Sequence, residues 1–296
     1  MLVTRFAPSP TGSLHLGHAF AAIVAHDFAR AAGGRFLLRI EDLDRTRSRP
    51  EFEASALADL KWLGLSWDSA PIHQSARTLL YAEALSKLES LGVLYRCFCS
   101  RKDIAAAIDA PHEPAETIYP GTCRHLSAGD QERRASATGI DYAIRLNTTR
   151  AAELTSSIDI AFTECLALEK PPRRIPAQPN MLGDVVLSRK GNVAAYHLAV
   201  VVDDAAQGVS LVSRGEDLLH ATHIHVLLQA LLGLATPLYA HHALVRDEYG
   251  ARLAKRDNAH ALSQLRSAGW TPEDVRHALP SSPNYARLLR AALTNY

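Results

Sequence analysis

The chain opens with a proline-rich stretch at residues 5–18, which reads Arg-Phe-Ala-Pro-Ser-Pro-Thr-Gly-Ser-Leu-His-Leu-Gly-His. Residues 17–32 repeat apolar side chains at three- and four-residue spacing, which predicts a core-facing helix. His15 and His18 therefore lie at a predicted strand-to-helix junction, where free backbone N–H groups and the positive end of the helix dipole favour phosphate. Gly17 lets a ligand approach the backbone, and two imidazoles can donate hydrogen bonds to phosphate oxygens as charge develops on them.

Taken alone, the pattern His-x-x-His also fits a metal site or two solvated histidines. The whole stretch resembles the nucleotide-binding signature of class I aminoacyl-tRNA synthetases of the glutamyl/glutaminyl branch, in which Arg-Phe-Ala-Pro-Ser-Pro-Thr-Gly precedes His-Ile-Gly-His. Leu16 replaces the usual Ile, which is a mild change. The resemblance implies that His15 and His18 are catalytic and that they bind ATP together with Gly17.

Composition places few limits on function. The 296 residues, 47% hydrophobic and 21% charged, suit one large or two modest globular domains. Four cysteines in a chain of this size do not indicate a disulfide scaffold. The N-terminus lacks a signal-peptide pattern and no apolar run reaches transmembrane length, so we expect a cytoplasmic protein with no membrane partner. A net charge of +1 argues neither for nor against RNA binding.

The order of predicted elements indicates an α/β fold. A strand at 35–40 after the first helix predicts a parallel strand–helix–strand unit, with ligands at the carboxyl ends of the strands. Further helices are predicted at 51–63, 75–91 and 218–232, and further strands at 93–99, 184–187, 194–202 and 209–213.

From about residue 100 to residue 182, short apolar runs rich in Pro and Ala indicate an insertion between two halves of a sheet. With the resemblance, we expect a Rossmann-like class I synthetase catalytic domain with a zinc-containing insertion and a short helical C-terminal segment. The expected divisions are the first catalytic half at 1–95, the acceptor-binding-like insertion at 96–182, the second half at 183–256 and the C-terminal segment at 257–296, with no anticodon-binding domain.

Arg5 and Glu41 both lie at predicted strand ends of one strand–helix–strand unit, so they can converge on one pocket. A guanidinium pairs with a carboxylate and a carboxylate pairs with an ammonium, although spacing alone favours surface charges or a structural ion pair. The resemblance implies that Arg5, Ser9 and Glu41 contact the bound glutamate, because the matching residues do so in the glutamyl branch. It extends this glutamate site to the neighbours Phe6, Ala7 and Pro8.

Tyr196 and Arg214 belong to the second half of the chain. Tyr196 lies in the predicted strand 194–202, which two acidic residues follow, and Arg214 precedes Gly-Glu-Asp and a predicted helix. Alone, Tyr196 also fits a half-buried aromatic residue of a sheet. The resemblance implies that both residues complete the glutamate pocket.

The stretch Gly-Ala-Arg-Leu-Ala-Lys-Arg at 250–256 matches by position the Lys-Met-Ser-Lys-Ser loop of class I synthetases. The second Lys of that loop stabilises the triphosphate during activation, so Lys255 is implied as a catalytic and ATP-binding residue. By itself the stretch also fits a short basic surface loop. Arg252, Ala254 and Arg256 depart from the family pattern, and the missing Ser hydroxyl at 254 removes one potential hydrogen bond.

Cys97, Cys99 and Cys123 place three thiols within 27 residues. Their spacing fits one structural, tetrahedral zinc ion per chain, and it also fits three ordinary buried thiols. The fourth ligand stays open between two residues. Zinc chemistry favours His125, because imidazole is a common zinc ligand and a phenol is not. A short paralogue family of the glutamyl enzymes shows Cys-x-Cys followed by Tyr-x-x-x-Cys, and on that resemblance we expect Tyr119.

The chain stops about 40 residues after the Lys255 loop, whereas full-length glutamyl-tRNA synthetases carry an anticodon-binding domain. The resemblance therefore implies the short paralogue family. That family activates glutamate with ATP without tRNA and transfers it to queuosine at the wobble position of tRNA(Asp). The implied partners are glutamate, ATP with Mg²⁺ and queuosine-bearing tRNA(Asp), and we expect a monomer.

Three alternatives stay open. One is a truncated enzyme that charges the 3′ end of tRNA(Glu), and another is a HIGH-type small-molecule adenylyltransferase or ligase. The third is a non-catalytic RNA-binding module, which the intact His15, His18 and Lys255 disfavour.

Overall fold

The computed structural model describes residues 1–106, 118–137, 141–165, 172–245 and 261–280. Its first three elements form the parallel strand–helix–strand unit that the pattern predicts: β1 (Val3–Phe6), α1 (Leu16–Ala31) and β2 (Arg35–Ile40). Phe20, Ile23 and Phe28 of α1 are buried, as their spacing requires. This arrangement places the proline-rich turn and the start of α1 at the carboxyl ends of β1 and β2.

The remaining elements alternate between short strands and helices. The helices are α2 (Pro50–Trp62), α3 (Thr78–Ser90), α4 (Arg101–Ala106), α5 (Ala128–Ala135), α6 (Thr148–Leu154), α7 (Tyr196–Ala206), α8 (Leu219–Leu232), α9 (Leu262–Ser267) and α10 (Pro272–His277). The strands are β3 (Ile72–His73), β4 (Leu94–Cys97), β5 (Ala143–Leu146), β6 (Ala161–Glu164), β7 (Arg173–Pro176), β8 (Val186–Arg189), β9 (Val193–Ala194), β10 (Leu211–Gly215) and β11 (Leu238–His242).

Two groups of strands build the layer that carries the site. The first runs in the order β1-β2-β3 and the second in the order β10-β11-β6-β7. Reciprocal hydrogen bonds join them, since Ser210 N donates to Val3 O at 3.0 Å and Val3 N donates to Ser210 Oγ at 2.9 Å. The carboxyl ends of β1, β2, β10 and β11 therefore meet at one edge.

The segment between the two halves contributes to two layers. Strands β4, β5, β8 and β9 form an antiparallel sheet of their own. Strand β6 instead pairs with β11, and β7 follows it antiparallel. The exact divisions at residues 95, 182 and 256 stay predictions.

The predicted strand at 194–202 is wrong, because Tyr196–Ala206 forms helix α7. A continuous buried apolar run does not distinguish a strand from a buried helix by periodicity. Here α7 packs against α3, α8 and β8, so apolar side chains are buried around most of its circumference. The change matters for the site, because residues four apart then share one face, and Tyr196, Val200 and Asp204 lie along it.

The C-terminal part confirms the expected helical segment over residues 261–280. Leu262, Leu265 and Val275 of α9 and α10 join the buried core formed by α1, β2 and α2. Leu262 N also donates to Leu14 O at 2.8 Å, which fixes the start of α9 against the turn before α1. Within the described ranges, none of the helices has the length and apolar character needed to cross a bilayer. The expected α/β fold is confirmed.

Candidate active site

A cavity of about 250 Å³ lies where β1, β2, β10 and β11 end and α1 begins. This edge is the usual ligand position in a parallel α/β sheet. We call it the strand-end cavity. The residues expected in the site that line it are Arg5, Phe6, Ala7, His15, Gly17, His18, Glu41, Tyr196 and Arg214. Residues from both halves of the chain, more than 200 positions apart, therefore meet in one pocket.

His15 and His18 are oriented by the backbone at the start of α1. Gly17 N donates to His15 Nδ1 at 3.1 Å, and His15 N donates to His18 Nδ1 at 3.2 Å. Because both Nδ1 atoms accept, a neutral ring carries its proton on Nε2. The ring centroids are 3.8 Å apart. The arrangement supplies two N–H donors from one helix N-terminus, which suits a phosphate.

Glycine is required at position 17 for a steric reason. A Cβ atom at this position would lie 3.0 Å from His15 Cε1, tighter than ordinary contact. The glycine thus lets the His15 ring fold back onto the first turn of the helix, where its Nδ1 accepts the hydrogen bond. A larger residue here would displace the imidazole that the sequence motif presents.

Arg5 is buried and held from two directions. Its Nε donates to Asp204 Oδ1 at 2.9 Å and its Nη1 donates to Ser213 O at 3.2 Å. Burial opposes ionisation of Asp204, but Arg5 and Arg39 hold the pKa of that carboxyl below its usual value. Burial raises the pKa of Glu41, and Arg39 and Arg5 oppose that rise. The guanidinium of Arg5 is therefore fixed before any ligand binds.

Arg39 was not predicted as a site residue from the sequence motifs. It is fully buried, and its Nη1 donates to Asp204 Oδ1 at 2.6 Å while its Nη2 donates to Glu41 Oε1 at 3.3 Å. Burial disfavours the Arg39 charge, yet Asp204, Glu41 and Asp203 raise its pKa above the ordinary value. The sequence did contain one indication of such a residue. Asp203 and Asp204 are consecutive acids in an apolar run, and buried carboxylates need a partner. Arg39 links Glu41 to the network that holds Arg5.

Arg214 makes four side-chain contacts. Its Nε donates to His241 Nε2 at 3.2 Å, and its Nη1 donates to Tyr196 Oη at 3.3 Å and to His225 Nδ1 at 3.1 Å. Its Nη2 donates to Thr222 Oγ1 at 2.6 Å. The three buried partners on α8 and β11 carry no local motif, so the sequence offered no signal for them.

Three expected site residues are not in the cavity lining. Pro8 is buried and its carbonyl accepts from Glu41 N at 3.0 Å, so it ties the turn to β2. Ser9 is exposed, and neither residue lines the strand-end cavity. Lys255 lies outside the described residues. The positions that bracket its segment do reach the site, since Val245 lines the cavity and Ala261 bridges to His15.

Cys97, Cys99 and Cys123 form a compact group, which with Tyr119 we call the thiol cluster. The three Sγ atoms lie within 4.8 Å of one another. Ideal tetrahedral coordination with Zn–S bonds of about 2.3 Å separates sulfurs by about 3.8 Å, so the donor set and spacing fit zinc. Burial raises the pKa of Cys99 to about 11, so a bound cation would be needed to hold its thiolate at neutral pH.

Tyr119 and His125 differ in their position relative to the thiols. Tyr119 Oη lies 3.6 Å from Cys99 Sγ and accepts from Cys123 N at 2.9 Å. His125 is exposed and is not part of the ligand group. The geometry supports Tyr119 as the fourth member of the cluster.

A second cavity of about 550 Å³ lies next to the first and shares Tyr196, Asp217 and Leu218 with it. We call it the insertion-side cavity. Its other walls include Tyr119 and Arg145, whose guanidinium carbon lies 3.8 Å from the Tyr119 ring centroid. The thiol cluster, through Tyr119, therefore borders a cavity that adjoins the strand-end cavity.

Comparisons with known proteins agree with this geometry. Residues 1–280 match the family described as tRNA synthetases class I (E and Q), catalytic domain. The glutamyl-Q tRNA(Asp) synthetase of Rhodobacter capsulatus is 50% identical over 94% of this chain and 99% of its own length. That of Symbiobacterium thermophilum is 46% identical over 93% of this chain and 84% of its own length.

The similar solved structures are larger proteins. Glutamate-tRNA synthetase from Elizabethkingia anophelis has a TM-score of 0.75 and 27% identity, and covers 92% of this chain. A glutamate tRNA ligase from Elizabethkingia meningosepticum, in complex with its amino acid, has a TM-score of 0.73 and 26% identity. The chain spans 59% of each of these structures.

Proposed function

The chain belongs to the family of class I tRNA synthetase (E and Q) catalytic domains, and from this premise we propose that it activates glutamate with ATP and transfers it to queuosine in tRNA(Asp). The relatives that share 40–50% identity with it and carry the name glutamyl-Q tRNA(Asp) synthetase support this proposal. An enzyme of this kind is a ligase. The same names make a small-molecule adenylyltransferase or a non-catalytic module the weaker interpretations.

The observation that carries the proposal is the charge pattern of the strand-end cavity. Arg5, Arg214 and Glu41 line it together with His15 and His18. Two guanidiniums and one carboxylate complement an amino acid that has two carboxylates and one ammonium, and an arginine is well suited to a carboxylate. The two imidazole donors lie beside that pocket, where ATP has to place its phosphates for reaction with the bound amino acid.

In the proposed activation step, an oxygen of the glutamate α-carboxylate attacks the α-phosphorus of ATP. The P–O bond to pyrophosphate breaks, and glutamyl-adenylate and pyrophosphate form. The Nε2–H groups of His15 and His18 donate to phosphate oxygens as negative charge grows there. Lys255 is proposed to stabilise the departing pyrophosphate, because an ammonium on a flexible stem can follow a moving charge.

Activation is proposed to need no tRNA, because the groups assigned to it all belong to this chain. Pyrophosphate exchange into ATP should depend on glutamate in the absence of RNA. Replacing Lys255 with Ala should lower the exchange rate by on the order of 10²-fold. An absolute requirement for tRNA in this assay would refute the activation scheme, and an unchanged rate in Lys255→Ala would remove Lys255 from it.

For transfer, we propose that the insertion-side cavity receives the acceptor nucleoside. Its shared wall with the strand-end cavity brings an acceptor next to the activated carboxyl. A hydroxyl of the queuosine cyclopentenediol attacks that carbonyl carbon, an ester forms and AMP leaves. Recognition of an unpaired base in a pocket is the common mode for RNA loops. Labelled glutamate should be incorporated into total tRNA from queuosine-containing cells and not into tRNA from cells that lack queuosine.

A second acceptor is favoured by one finding. The solved neighbours are a glutamate-tRNA synthetase and a glutamate tRNA ligase, and a relative named glutamate–tRNA ligase 2 is 38% identical over 93% of this chain. The alternative function is therefore charging of the 3′ end of tRNA(Glu). Equal incorporation into both tRNA preparations would support it.

We propose a structural zinc ion in the thiol cluster, held by Cys97, Cys99, Cys123 and Tyr119. The cluster lies in the segment between the two halves and borders the insertion-side cavity without lining the strand-end cavity. Its expected role is to order that segment, as structural zinc sites do. Elemental analysis should find about one zinc per chain.

A further inference from the structure

The position of Arg214 depends on two histidines that must act as hydrogen-bond acceptors. Arg214 Nε points at His241 Nε2 and Arg214 Nη1 points at His225 Nδ1. An arginine has only donors, so each of these ring nitrogens must be unprotonated. Both rings are therefore neutral and each must hold its proton on the opposite nitrogen. Neither of these two contacts with Arg214 fits the common arrangement in which a histidine N–H donates to an acidic group.

The tautomer of His241 is set by Glu164. Glu164 Oε2 lies 2.5 Å from His241 Nδ1, and Glu164 Oε1 accepts from the His241 backbone N–H at 3.0 Å. Both side chains are buried, with 1% exposure for each residue. A carboxylate at Nδ1 keeps the proton there and leaves Nε2 as the acceptor that Arg214 requires. Glu164 ends β6, three strands away from β1, and lies outside the cavity lining.

We propose that Glu164 is a positioning residue for Arg214, acting through His241 to hold the guanidinium in its glutamate-binding orientation. The inference rests on the proposed function, in which Arg214 binds glutamate. It assigns a role to a residue that comes from the segment between the two catalytic halves. That segment would then contribute to amino-acid recognition as well as to acceptor binding.

Several charged and titratable groups face this arrangement. His241 is approached by Glu164 from β6, Arg214 from β10 and its neighbour His242 on β11. Burial lowers the pKa of His241, while the hydrogen bond that its ring donates to Glu164 raises it. On the other side, His225 of α8 faces Arg214 and His197 of α7, with Arg5 and His241 further away, and burial with the Arg214 charge lowers its pKa well below the usual value.

Glu164→Gln tests the proposal with almost no change in volume. One amide oxygen cannot accept from both the His241 backbone N–H and Nδ1–H, so the amide NH₂ must face one of these two groups. With the NH₂ towards the ring, His241 moves its proton to Nε2, which then opposes the Arg214 Nε–H. With the oxygen towards the ring, a neutral amide holds the Nδ1–H less firmly than the carboxylate does. We expect the KM for glutamate in pyrophosphate exchange to rise by on the order of tenfold, with a smaller change in kcat. Glu153→Gln, at an exposed position on α6, is the matched control and should leave KM unchanged.

His241→Gln provides a second variant, because its side-chain oxygen can replace Nε2 as acceptor for Arg214. It should keep a KM near that of the wild type, and adding Glu164→Gln to it should cause little further rise. Tautomers can be measured directly by ¹⁵N NMR of histidine-labelled protein, with Nδ1–H expected for His241 in the wild type and a larger Nε2–H population in Glu164→Gln.

Four results separate the possible outcomes. An unchanged KM in folded Glu164→Gln would overturn the positioning role, and so would an Nε2–H tautomer of His241 in the wild type. Should Glu164→Gln fail to fold, a KM in His241→Gln as high as that in His241→Phe would overturn it instead. Absence of glutamate-dependent exchange in the wild type would refute the proposed function itself, which is a distinct result.

Discussion

The strand-end cavity and the thiol cluster are built in opposite ways. Arg5 and Arg214 reach the cavity from opposite halves of the chain, and each is held by buried side chains or carbonyls of several elements. The thiol cluster comes from residues 97–123, and its polar atoms contact mainly one another, as Cys99 does with Cys123 at 3.5 Å. The two arginines of one site are held by protein contacts, and the side chains of the other are those that we propose to hold a zinc ion.

This difference predicts two kinds of dependence. The guanidinium N–H groups of Arg5 and Arg214 already have neutral or acidic hydrogen-bond partners, so they keep their geometry without substrate. The strand-end cavity should therefore be preorganised. Thiols packed together in a buried site gain most from a cation that lets them ionise. Damage to one site should therefore leave the other measurably intact, and the first two predictions below test that independence.

The largest effect is expected for Arg214→Lys. The ammonium keeps the charge but cannot reach His241, His225 and Thr222 in a fixed planar array. The kcat/KM for glutamate in pyrophosphate exchange should fall by on the order of 10²- to 10³-fold, because several hydrogen bonds to a charged group are lost. Zinc content measured on the same sample should stay at the wild-type level. A parallel loss of zinc would contradict the independence of the two sites.

Cys123→Ser is the reciprocal change at the thiol cluster. A hydroxyl is a poor zinc ligand, so the affinity for zinc should fall by on the order of 10²-fold, measured by competition with a chromogenic chelator. The KM for glutamate should stay within about twofold of the wild type, because no cluster residue lines the strand-end cavity. Cys165→Ser, a buried cysteine outside the cluster, is the control and should retain zinc. A large rise in the glutamate KM would mean that the cluster supports the cavity directly.

A smaller effect separates the two candidates for the fourth ligand. Tyr119→Phe removes the hydroxyl that lies 3.6 Å from Cys99 Sγ, and we expect the zinc affinity to fall by about tenfold. His125→Ala removes an exposed side chain and should leave the affinity unchanged. The opposite order in the same chelator competition would transfer the ligand role to His125.

The smallest effect concerns pH. Burial and the Arg214 charge lower the pKa of His197 to about 4 from a usual value near 6.5. A histidine with a depressed folded-state pKa contributes stability above 6.5 that is lost as the pH falls towards 4. His197 keeps some solvent contact, so its share of the unfolding free energy should be about 1 kcal/mol. Urea unfolding of His197→Gln should show a weaker loss between pH 7 and pH 4.5 than the wild type, and an equal loss would contradict this assignment.

Local patterns predicted the first part of the fold well. The stretch at residues 5–18 carries its own strand, turn and helix start, so β1, α1 and their junction follow from spacing and turn chemistry. The strand expected at 194–202 failed for a physical reason. A buried sequence run rich in Val is compatible with either a strand or a fully packed helix. Only the contacts of α7 with α3, α8 and β8 decide between the two.

The candidate site likewise contains residues that a local sequence pattern predicts and residues that it does not. Residues named by a motif, such as His15, Glu41 and Arg214, do line the cavity. The residues that hold them, including Arg39, Glu164 and His241, have no local pattern, because their roles arise from partners distant in sequence. A buried charge signals that a partner exists, but the sequence does not state which one.

The location of the glutamyl ester tests the central claim most directly. Purified enzyme, ATP and labelled glutamate are incubated separately with queuosine-containing tRNA(Asp), with tRNA(Asp) that lacks queuosine and with tRNA(Glu), and each product is cut by nucleases into anticodon and 3′-terminal fragments. We predict alkali-labile label on the anticodon fragment that carries queuosine, and none on tRNA(Asp) that lacks queuosine. Label confined to the 3′ adenosine of tRNA(Glu) would contradict the claim.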